Sequence, residues 1–196
     1  MRMASRPLTF ALAAAFALLA FGAAALATTV QLAGIPTLVD GSPLIVEGRV
    51  LSATPVKVSR APGIVTDYEV LVSARLKGSS PDRITVRVPG GKLPGGQQAL
   101  IEGMPTLRAG ASVLLLLEAL PTGAFDDSKT YWLPLGLGQG HFELTRQGGR
   151  AVFRRDLHGQ HLSATGAPVC TGGEWQGDFD AEDLRAFIKA RAEGSR

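Results

Sequence analysis

Asparagine is absent from this chain of 196 residues, and cysteine occurs once, at Cys170. Without asparagine there is no acceptor for N-glycosylation. A single cysteine excludes an intramolecular disulfide framework, so the fold has to be held by its own core. Aromatic residues make up only 6% of the chain, and no stretch interleaves them with basic residues as a nucleic-acid-binding surface would. No G-x-S-x-G, H-E-x-x-H, C-x-x-C or Walker pattern occurs. Lysine is scarce beside arginine while alanine is plentiful, which reads as a GC-rich bacterial coding bias.

Long apolar runs are also few. The one long run, Leu8 to Ala27, follows Arg2 and Arg6 and ends in Ala25-Leu26-Ala27. A basic start, an apolar middle and an A-x-A end make a secretory signal peptide over residues 1–27, with Thr28 as the first mature residue. The alternative is a retained membrane anchor, because the run is about as long as a membrane span. No cysteine follows the run to carry a lipid. The formal net charge of +3 falls to about +1 once Arg2 and Arg6 leave with the signal, too little to argue for a nucleic-acid partner. The mature chain is long enough for one domain with a sizeable core.

The strand pattern is clearest from Glu69 to Gly91. Val70, Val72, Ala74 and Leu76 alternate with Glu69, Leu71, Ser73 and Arg75, and Ile84, Val86 and Val88 alternate with Arg83, Thr85 and Arg87. That period of two puts each apolar set on one face of a strand. Gly78-Ser-Ser-Pro81 supplies turn residues between them. Upstream, residues 28–43 carry Gly34, Pro36, Gly41 and Pro43 and are expected to form an extended lead-in. Leu44 to Ala53 is a strong strand in which Gly48 marks a bend. Downstream, Gln98 to Met104 reads as a short strand. Ser112 to Glu118 is nearly all apolar, as expected of a strand buried on both faces. Lys129 to Leu133, His141 to Thr145 and Arg150 to Arg154 read as further strands, the last two joined by a hairpin turn at Gln147-Gly148-Gly149. These elements predict an all-β domain over residues 44–156, an OB-like closed barrel or sandwich of about eight strands. Residues 157–196 read as a loose loop followed by a C-terminal α-helix at about 180–192. Asp180-Ala-Glu-Asp183 resembles a capping box at its start. Leu184, Phe187 and Ile188 form a short apolar stripe that must dock on the barrel.

The candidate site residues lie late in the chain. His141, His158, His161 and Cys170 carry imidazole and thiolate groups suited to zinc or copper. No close spacing joins them, so surface histidines and an incidental cysteine are the competing reading. Asp126-Asp127 is the only acidic pair among the loops, and it offers too few oxygens for calcium. Tyr131, Trp132, Phe142, Phe153 and Trp175 could line a groove, but aromatics more often fill cores. Gly136-Leu-Gly-Gln-Gly140 lacks the dinucleotide-binding spacing and reads as a bulged turn. No catalytic or cofactor-binding residue is identified, and no cofactor is expected.

Val46-Glu-Gly-Arg-Val-Leu-Ser52, Tyr68 to Gly78, Ile84 to Gly91, Ile101 to Glu118 and Gly136 to Phe142 follow one another in an order that resembles a group of secreted bacterial β-proteins. More distantly, the order is similar to the OB-fold netrin and tissue-inhibitor-of-metalloproteinase domains. The resemblance covers about Leu44 to Arg154 and implies the fold more than the function. Those inhibitors present an N-terminal cysteine to a protease zinc and are laced with disulfides. This chain has neither feature, so their mechanism does not carry over. The expectation is an exported, non-enzymatic binding or interaction module, periplasmic or extracellular. Its partner would be an exported protein or an extracellular ligand, with no nucleic acid, and with the membrane touched only through an uncleaved signal segment. The alternatives are a regulator or inhibitor of an exported hydrolase such as a protease and, below that, a metal-dependent enzyme using the histidine–cysteine group.

Overall fold

A computed structural model describes residues 30–121, 129–155, 162–163 and 177–194. In chain order the elements are β1 (Val30–Gln31), a first helix (Ile35–Gly41), β2 (Leu44–Lys57), β3 (Ile64–Lys77), β4 (Arg83–Pro89), β5 (Gly91–Lys92), β6 (Gln98–Ala99), β7 (Ser112–Ala119), β8 (Trp132–Pro134), β9 (His141–Gln147), β10 (Arg150–Arg155), β11 (Leu162–Ser163), β12 (Gly177–Asp180) and a C-terminal helix (Ala181–Gly194).

The molecule is all-β with a C-terminal helix. Strands β2, β3 and β4 form an antiparallel ribbon. The first half of β2 pairs on its other edge with β7. Strand β8 pairs antiparallel with β7 and parallel with β4 through Val86 and Trp132, which closes five strands into an OB-like barrel. Strand β2 serves two neighbours and must curve to do so. It carries register shifts at Ile45/Val46, Glu47/Gly48 and Val50/Ser52. At Gly48 the curvature brings β3 so close that a Cβ would lie 2.5 Å from the Leu71 carbonyl oxygen, which only glycine tolerates.

Strand β7 is where the sheet forks. Beyond its β2 edge, Val113 to Leu115 pair with β9, whereas Leu117 to Ala119 pair with β8. At the branch point the Leu116 N–H donates to the Gly140 carbonyl at 2.8 Å, and the Leu116 carbonyl accepts from the Leu135 N–H at 2.9 Å. The glycine-rich turn 136–140 fills this crotch. From β9 the sheet continues through β10 to β12.

The fork creates two cores. Val113, Leu115 and Leu117 point into the barrel with Val46, Val70, Val86 and Leu107. Leu114 and Leu116 point outward into a second core with Ile45, Phe142, Phe153, Leu38 and Ile188. This is why β7 has no polar face, and it matches the doubly buried strand expected from the sequence. Phe142 and Phe153 are fully buried there, and Phe142 meets Phe179 edge-on at 5.9 Å.

Several elements differ from the sequence expectation. The lead-in contains the first helix, where Ile35, Leu38 and Val39 are buried at helical spacing and Pro36 sits in the opening turn. Proline is at home there because its missing N–H has no helical partner in any case. Strand β2 runs on to Lys57 through Pro55. The strand expected over Gln98 to Met104 shrinks to two residues, and that expected over Lys129 to Leu133 is shifted to Trp132–Pro134. In the tail, β12 pairs with β10, and Leu162–Ser163 pairs parallel with Val30–Gln31. The C-terminal helix is capped by the Asp180 carboxylate, which accepts from the N–H groups of Glu182 and Asp183. Its buried face is Ala181, Leu184, Ile188 and Ala192, while Phe187 is 41% exposed and stands outside the stripe.

Candidate functional site

A concave cleft lies at one end of the barrel, where the β2–β3–β4 ribbon runs past the packed interior. Period-two alternation carries Ala53, Pro55, Thr66, Tyr68 and Val88 onto the ribbon's inner face, and the connection from Gly90 to Thr106 forms the opposite wall. The space between is about 500 Å³, the size of an ordinary ligand site. Gly91 sets the approach of the two walls: a Cβ there would lie 2.3 Å from the Thr66 hydroxyl oxygen. Strands β5 and β6 pair with each other and stiffen the far wall.

The deeper polar groups of the cleft, on Thr66, Tyr68 and Gly90, are satisfied from within. The Thr66 hydroxyl donates to the Gly90 carbonyl at 2.8 Å. The Gly90 N–H donates to the Ile64 carbonyl at 2.9 Å. Burial pushes the Tyr68 phenol above its usual pKa, an effect offset in part by hydrogen bonds with the Leu107 backbone and the Thr66 side chain. Tyr68 is therefore a neutral floor at physiological pH. The rest of the lining is largely apolar, including Ile101, Met104 and Pro105. Leu100 stands at the rim and is 87% exposed.

The outer face of the same ribbon has another character. Arg83 pairs with Glu69 at 2.7 Å, and Arg75 pairs with Asp82 at 2.6 Å. Arg87 is buried, forms a bidentate pair with Asp67 at 2.6 and 2.7 Å, and stacks on the Tyr131 ring at 3.5 Å. Leu51 and Leu71 are 37% and 40% exposed between these pairs. Arg75, Arg83 and Arg87 each have their own anion, so these three form no stripe of excess positive charge for a phosphate backbone.

Of the residues singled out in the sequence, His141 opens β9, half-buried opposite Leu115, and donates its backbone N–H to the Gly138 carbonyl. His158, His161 and Cys170 lie outside the described residues, as do Asp126, Asp127 and Trp175. Among the described residues no group of three or more His, Cys, Asp or Glu side chains is placed to hold a metal ion. Tyr131, Phe142 and Phe153 are core residues, and Trp132 packs against the barrel core. Sequence reading missed the cleft because its walls come from four separated stretches. The available signal was that Thr66 and Tyr68 continue the inward-facing row of Val70 and Val72.

No protein-family model matches this chain, and no curated protein or solved structure is significantly similar to it.

Proposed function

We propose that this chain is an exported, non-enzymatic binding module that takes an apolar ligand in the mouth of its barrel. The observation that carries the reading is the cleft: concave, about 500 Å³, apolar-walled, with Leu100 exposed at its rim. Barrel mouths are among the places where ligands are commonly held. Among the described residues the lining includes no histidine, cysteine, aspartate or glutamate. Its titratable groups are Tyr68, with a raised pKa, and Lys92 at the edge. Such a lining suits holding a ligand better than moving protons near neutral pH. Export enters this reading through residues 1–27.

A neutral apolar fluorophore, N-phenyl-1-naphthylamine, tests it. The native protein is expected to enhance its emission saturably. Ala53→Trp, which fills the cleft from the ribbon side, is expected to abolish the enhancement while leaving the thermal transition in place. Equal enhancement in the two proteins would overturn the assignment to the barrel mouth.

A further inference from the structure

Among the described residues the lining of the mouth carries a single charged side chain, Lys92, on β5 at the cleft's exposed edge. Gln98 and Thr106 are exposed at the edge as well, and the deeper lining is mostly apolar. Thr66 is committed to Gly90, and Tyr68 is engaged with Leu107 and Thr66. Resting on the function proposed above, we propose that the ligand is an acyl carboxylate: an unbranched hydrocarbon chain lying against Met104 and Val88, with its one negative charge at Lys92.

Two features favour this chemistry over a peptide. A peptide brings an N–H and a C=O with every residue, and each needs a partner once it is buried. Deep in the cleft Thr66 and Tyr68 are already committed, and the other polar side chains, Lys92, Gln98 and Thr106, stand at the exposed edge. An acyl chain has no polar group along its length and a single one at its end. The charge count agrees: one cation at the rim complements one anion, and among the described residues no lining carboxylate opposes it. Lys92 pairs through its backbone with Gln98, so its side chain starts from a fixed strand position at the mouth.

The test is calorimetric titration of the full chain with decanoate and with decanol, kept below micelle-forming concentrations. Native protein is expected to bind both, decanoate the more tightly. Lys92→Gln is expected to weaken decanoate binding by about fivefold, the worth of one exposed ion pair, and to leave decanol binding unchanged, which also shows that the variant is folded. Lys92→Arg is expected to keep most of the preference. Equal affinity of native protein for decanoate and decanol, or no effect of Lys92→Gln, would overturn the acyl-carboxylate assignment while leaving the apolar mouth standing. Saturable binding of a neutral apolar peptide with no binding of decanoate would also overturn it. Failure of decanoate, decanol and the neutral fluorophore together would bring down the binding reading itself.

Discussion

Arg155 is almost wholly removed from solvent, and burial pulls its guanidinium pKa down to about 10. It stays charged at neutral pH because the interior is arranged around it. Its Nε donates to the Gln139 carbonyl at 2.9 Å, and an Nη donates to the Ala33 carbonyl at 3.1 Å. The Gln139 side-chain oxygen accepts from the Ala33 N–H at 2.7 Å. One buried arginine and one buried glutamine thus clasp the segment ahead of the first helix to the fork of the sheet. Arg155→Leu is expected to lower unfolding free energy by about 3 kcal/mol, because it leaves buried carbonyls without donors. Urea denaturation reads the change, and a native midpoint would contradict the clasp. None of this was legible in the sequence. Arg155 ends a strand that looks polar in its alternation, and Gln139 lies in a glycine string, so neither marks itself as interior. The bend at Gly48 was legible, because a lone glycine inside an apolar strand has few other uses.

At the scale of elements, the C-terminal helix is joined to the barrel by more than its apolar face. Arg185 forms a bidentate pair with Glu47 at 2.6 and 2.8 Å, and Arg191 forms another with Asp40 of the first helix at 2.7 and 2.6 Å. Arg154 holds Asp178 of β12 in the same way. Lys77 donates to the Val39 and Asp40 carbonyls and so steadies the C-terminal end of the first helix. The hydrogen bonds from Arg191 and Arg154 hold the carboxyls of Asp40 and Asp178 below the usual value of 3.8. A carboxyl depressed in the folded state adds stability that is present above its unfolded pKa and is lost as pH falls through the folded one. The tail is therefore expected to loosen below about pH 4. Hydrogen exchange over residues 178–194 should show protection falling there ahead of β2 and β7, and less steeply in Asp40→Asn. Parallel loss of protection in tail and barrel would contradict it. The docking of this helix was foreseeable from Leu184 and Ile188. The exposure of Phe187 was not, because a short stripe does not reveal how far around the helix the partner surface reaches. The first helix was hidden by its own prolines and glycines, which read as breakers when the spacing of Ile35, Leu38 and Val39 is ignored.

For the whole molecule, the architecture was visible in outline and the closure was not. Alternation reveals which face of a strand is apolar, but it does not tell which strands meet. The ring depends on β8, which pairs with β4 at Val86 and Trp132 on one edge and with β7 on the other. Export remains the proposal on which the cellular context rests. Mass spectrometry of protein recovered outside the cytoplasm should show Thr28 as the first residue, and a full-length product held in the membrane would contradict it. The doubly buried strand bears on the order in which the chain is made. As it is synthesised from the N-terminus, residues up to Ala111 can build the β2–β3–β4 ribbon, the short β5–β6 pair and the first helix, with the barrel face of that ribbon lacking β7. Neither core has its central wall until Ser112 to Ala119 has emerged, and that wall joins β2 across more than sixty residues of chain. Contacts of such separation form late and slowly. A nascent chain of this design stays open through more than half of its synthesis, the state in which a polypeptide can still be threaded through a narrow passage.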